Sequence, residues 1–72
     1  MDAHRILSLS EQIIAHLEQA TILIDGLGDM PYAMGAQAHS SKMDINDCVK
    51  RFERLRAGAR AVLVQDQSPA KV

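Results

Sequence analysis

Apolar side chains recurring every three or four residues over two long stretches dominate what this chain can become. In the first stretch Ile6, Leu9, Ile13, Leu17, Ala20, Leu23, Ile24 and Leu27 share one side of a helix. Leu7 and Ile14 widen that side to roughly 160° at 100° per residue, more than a single neighbouring helix covers. In the second stretch Ile45, Phe52 and Ala59 occupy one heptad position and Cys48, Leu55 and Val62 the other, with Val49 and Leu63 beside them. Two such stripes predict an all-α antiparallel hairpin, since only back-to-back packing buries both.

Local signals set the expected limits. Asp2 can cap a helix over residues 3–27; the capping box Ser8-Leu9-Ser10-Glu11 offers a later start. Gly26 and Gly28 end it, because glycine takes the left-handed C-terminal turn without steric cost. A connector follows at residues 28–43. Asp29 and Pro31 resemble a helix start, so the connector can hold a short third helix from Met30 to about Ala38, weakened by Gly35. Ser41 or Asp44 then caps a second helix over residues 44–65. Gly58 inside it costs about 1 kcal/mol against alanine, and suggests close approach of a neighbouring backbone. Residues 1–66 form the expected domain, and 67–72, with Pro69, a frayed tail.

Size bears on how such a hairpin is stabilised. The chain has 72 residues, and a chain this short buries only about 60% of its unfolded surface. Cys48 is the only cysteine, so an internal disulfide is excluded, and the thiol and imidazoles available for a closed zinc site (Cys48, His4, His16, His39) are scattered. Oligomerisation is the remaining route to stability, and the expectation is a homodimer closing into a four-helix bundle. No apolar run approaches the roughly 18 residues of a membrane span. The N-terminal residues lack a signal-peptide pattern, and a lone free thiol fits the reducing cytoplasm. Small accessory proteins of bacteria and phages share this size and make-up.

The net charge of −1 hides an asymmetry. Residues 1–29 carry five acids and one base, whereas residues 42–60 carry six bases and three acids. An acidic first helix beside a basic second one favours their pairing, though exposed pairs are worth only about 0–1 kcal/mol each. Lys50, Arg51, Arg54, Arg56 and Arg60 crowd eleven residues of the second helix. They are read as a solvated face first, a contact for an acidic protein second, and a nucleic-acid patch third. The slightly acidic chain, with only Tyr32 and Phe52 as aromatics, lacks the bases-on-rings platform of nucleic-acid binders. Arg56 stands out because it falls within the apolar side beside Phe52 and Ala59.

Chemistry-bearing constellations are absent from the pattern. His16 lies at the edge of the first stripe with no second ligand one turn away, and reads as a packed histidine. Cys48 reads as a small core hydrophobe. Gly26-Leu27-Gly28-Asp29 lacks the Gly-Lys-Ser/Thr of a phosphate loop, and Ser8 and Ser10 lack a base to activate them. No catalytic, cofactor or metal site is expected. The apolar excess instead points to contacts: Leu7, Ile14, Met30, Tyr32, Met34 and Met43 exceed what a bare hairpin covers. The expected function is therefore a non-enzymatic protein-binding module of adaptor, chaperone-like or inhibitory type. Its anchors would be Leu7, Ile14, Met30, Tyr32 and Met34, with Arg51, Arg54, Arg56 and Arg60 giving polar specificity. A nucleic-acid-binding regulator using the basic face is the alternative.

Overall fold

Asp2 opens the first helix. Its backbone is extended and its carboxylate accepts from the Arg5 N–H at 3.1 Å, satisfying one of the free amides of the first turn. The later capping box is not used. Ser10 lies inside the helix, and its hydroxyl donates to the Ile6 carbonyl at 2.5 Å. The computed structural model describes residues 2–67, which form two helices, α1 (Ala3–Asp25) and α2 (Tyr32–Gln67). The expected tail, apart from Gln67, lies outside the described residues.

At the far end of α1 the Gly26 N–H donates to the Ile22 carbonyl at 3.1 Å while Gly26 itself stays right-handed. Gly28 then takes φ 75°, the left-handed step that lets the chain double back. The turn spans only residues 26–31, so the expected connector over 28–43 is corrected. No separate third helix forms among the described residues, because residues 32–43 are the first turns of α2. The physical reason is the absence of a stop signal. Pro31 precedes the helix and its carbonyl accepts from Gly35 N–H at 2.9 Å. After it no proline interrupts the Ala-rich run, and Ser41 and Asp44 become interior residues instead of caps. Gly28, Asp29 and Met30 border the same groove as Gly35 and Ala38. These small α2 residues leave room for the returning chain.

The helices run antiparallel, since Asp25 at the end of α1 pairs with Lys42 early in α2, and Glu11, earlier in α1, pairs with Arg60 late in α2. Across their contact each helix turns in one heptad row. From α1 these are Ala3, Leu7, Ser10, Ile14, Leu17, Thr21 and Ile24, all buried or half-buried. From α2 they are Gly35, Ala38, Lys42, Ile45, Val49, Phe52, Arg56, Ala59 and Leu63. The expected position of Ile45, Phe52 and Ala59 holds. Its companion is Val49 and Leu63 with Lys42 and Arg56, not Cys48, Leu55 and Val62, and Leu55 is left 46% exposed. Gly58 is not a close approach either: a Cβ built there meets nothing within 4 Å.

This seam is thin. Ala3, Ile14 and Ala59 are its fully buried apolar side chains, and the most enclosed residue is Ser10, at 2% exposure. The Cα envelope measures 64 by 15 by 14 Å, a rod two helices wide with no third layer. Ile14 is therefore the largest buried anchor. Ile14→Ala is expected to cost about 2–4 kcal/mol by urea unfolding followed by circular dichroism, whereas Ile22→Ala, on an exposed site of the same helix, costs less than about 1 kcal/mol.

Candidate protein-docking face

With one row of α1 turned inward, a second row is left over. Ile6, Leu9, Ile13, His16, Ala20, Leu23 and Leu27 also follow alternate steps of three and four, and lie about 100° around the helix from the seam. Leu9, Ile13, Leu23 and Leu27 are exposed, Leu23 at 64%, while Ile6 and Ala20 are half-buried. One helix thus carries two heptad rows. The row used inside the molecule contains Ser10 and Thr21, whose hydroxyls are turned back onto the Ile6 and Leu17 carbonyls. The row facing out has a single polar member, His16.

On α2 the matching flank is Met34, Ser41, Cys48, Leu55 and Val62, spaced by sevens. Ile6, Leu55, Gly58, Ala59 and Val62 line one nearly apolar groove at one end of the rod. Leu27, Met30 and Met34 line another at the turn end. Gly58 has its role here, since its missing side chain deepens the first groove. The two helices together therefore present one apolar face along the rod, rimmed on α2 by the exposed Asp44, Arg51 and Arg54, the last of which also lines the first groove.

The other flank of the seam is electrostatic. Lys42 donates to Asp25, and Arg60 donates to Glu11 at 3.3 Å, all four side chains partly or largely in solvent. Between these pairs Glu18, Ile22, His39, Met43 and Asn46 border a shallow, mostly apolar groove in which Ile22 and Met43 are exposed. The acidic-helix, basic-helix pairing read from the sequence is realised by these two bridges.

The expected anchors divide. Ile14 is 5% exposed and Leu7 half-buried, so both belong to the internal seam and neither is a free anchor; the wide apolar side was split the other way by the fold. Met30 is half-buried, while Met34 is exposed and Tyr32 is 91% exposed. Arg51 and Arg54 are exposed, and Arg60 is held by Glu11. Arg56 is half-buried in the seam and meets no acid among the described residues. His16 stands in the exposed row, and Cys48 is half-buried beside the seam. Among the described residues no three His, Cys, Asp or Glu side chains are grouped to hold a metal ion. No helix among them is long and apolar enough to cross a membrane.

Periodicity alone does not isolate the face as a unit: the regular spacing from Ile6 to Leu27 carries its signal, but reads as the internal contact. No protein-family model matches the chain, and neither does any curated protein or solved structure.

Because the bridging flank is solvated, Glu11→Gln is expected to change hairpin stability by no more than about 1 kcal/mol. That difference should vanish when unfolding is measured in about 1 M salt, where charges are screened beyond roughly 3 Å.

Proposed function

We propose that the chain is a small non-catalytic protein-binding module whose working surface is the apolar face built on Ile6, Leu9, Ile13, Leu23 and Leu27. The observation that supports this is the inversion of polarity between its two rows: the seam holds Ser10, Thr21, Lys42 and Arg56, while the outward row of α1 is apolar except for His16. A monomer working alone gains nothing from placing its more apolar row in water. Contiguous apolar surface of this kind ordinarily marks a contact with another protein. An adaptor, chaperone-like or inhibitory role fits a rod that offers a long face and no enclosed cleft. The free thiol of Cys48 fits a cytoplasmic setting.

Nucleic-acid binding through Lys50, Arg51 and Arg54 is the second reading. Those cations are exposed, but Asp47 and Glu53 are interleaved with them on the outer side of α2, which dilutes the positive field that phosphates require.

Affinity capture of the tagged protein from its own cells, with three baits, tests the module. Wild-type and Ile22→Glu baits are expected to retain the same protein, and a Leu23→Glu bait to lose at least about nine-tenths of it. Equal capture by all three, or by none, counts against the face as the working surface. Retention of nucleic acid that falls steeply with salt would favour the second reading instead.

A further inference from the structure

The occupant of the apolar face can be specified further, an inference that rests on the docking reading above. The chain exposes 5591 Å², about 1200 Å² more than the roughly 4400 Å² expected of a compact monomer of 7.9 kDa. A standard interface covers about 800 Å² on each partner. One further rod of the same kind, laid along the face, would cover about two-thirds of that excess.

The level of each residue along the rod then fixes how two copies fit. Asp25 pairs with Lys42, and in an antiparallel pair each step up α1 is a step down α2. Ala20, five residues before Asp25, is therefore level with Asp47 and its neighbour Cys48, five and six residues after Lys42. Ala20 and Cys48 are both small and half-buried, and Cys48 stands close to the middle of α2 (Tyr32–Gln67). Two rods that overlap along their whole length in opposite directions cross at this level, where small side chains allow close approach.

On the α2 rim, Asp44 and Arg51 bracket that level on one row, seven residues apart. In the antiparallel arrangement Asp44 of one copy faces Arg51 of the other, and the match is made twice. Laid parallel instead, with α1 over α2 of the second copy, the rods would set Arg51 against His16 and Asp44 near Leu23. Opposite charges at a rim do little for affinity but select orientation and register. The α1 row has no charged residue, so α1 meets its own copy without enclosing one.

We propose that the face is occupied by a second copy of this chain. The two hairpins lie antiparallel, α1 on α1 and α2 on α2, about a two-fold axis level with Ala20 and Cys48, forming a four-helix bundle. The isologous contact follows from one face serving both partners.

Sedimentation of the purified full chain from micromolar to millimolar concentration tests the self-pairing, alongside a short bis-maleimide probe on Cys48. A dimer is expected, with most chains covalently linked in pairs. Leu23→Glu is expected to raise the dissociation constant at least about tenfold. Should that variant unfold, two further changes keep the test open: His16→Leu, which completes the apolar row, is expected to tighten pairing at least about threefold. Asp44→Arg and Arg51→Asp are each expected to weaken it at low salt by about threefold or more, and the double exchange to return it to within about twofold of the wild type. A monomer at millimolar concentration overturns the self-pairing. If that monomer still captures another protein in a Leu23-dependent way, the docking reading survives while this inference fails. A dimer indifferent to Leu23→Glu and not linked through Cys48 overturns the assigned face and axis.

Discussion

A pair of helices has one mutual interface, and each can bury only one row of side chains against the other. Everything in this hairpin follows from α1 having two heptad rows and a single partner. The fold must choose, and it turns in the row of Ala3, Leu7, Ser10, Ile14, Leu17, Thr21 and Ile24. Ser10 is the most enclosed residue in the molecule, and its hydroxyl is silenced by its own helix at the Ile6 carbonyl. A polar group buried without such a partner would cost about 1–3 kcal/mol.

The same choice explains what was legible in the sequence. Two long helices, their antiparallel pairing and the early cap at Asp2 all rest on local or periodic signals, and each is found. Which row faces inward is not a local property. Periodicity locates apolar residues around a helix, but ten such residues spread over a wide side do not say where a single neighbour will sit. Leu7 and Ile14 were thus read as surplus and Leu9 and Leu23 as core, and the fold reverses both. The start of α2 was misplaced for a different reason. Asp29, Pro31 and Gly35 gave correct cues for a start and a weak point, but helix propensity over Tyr32–Met43 only becomes decisive once a second helix follows without a break.

Charge has a secondary part. Two bridges, Asp25–Lys42 and Glu11–Arg60, lie on one flank, fourteen residues apart along α1. With both members of each pair reached by solvent, they contribute little to stability. Their value is directional: both agree with the antiparallel register, and together they leave the opposite flank free of charge except for its rim. Arg56 is the exception, a half-buried basic residue in the seam row of α2, as the apolar stems of long basic side chains allow.

The seam's thinness bears on whether folding and binding are separable here. Three fully buried apolar side chains and a two-layer rod are a small counterweight to the ordering of more than sixty residues, each costing about 1–2 kcal/mol of backbone entropy. Small natural domains in this position gain stability from outside the monomer. In α1 the inner row specifies the hairpin, while the outer row, richer in Leu and Ile, leaves Leu9, Ile13, Leu23 and Leu27 exposed. A face of this kind is at once an aggregation hazard and a device. The hazard is contained only if the surface is covered as soon as the hairpin forms. Coverage then couples the stability of the rod to the concentration of whatever binds it.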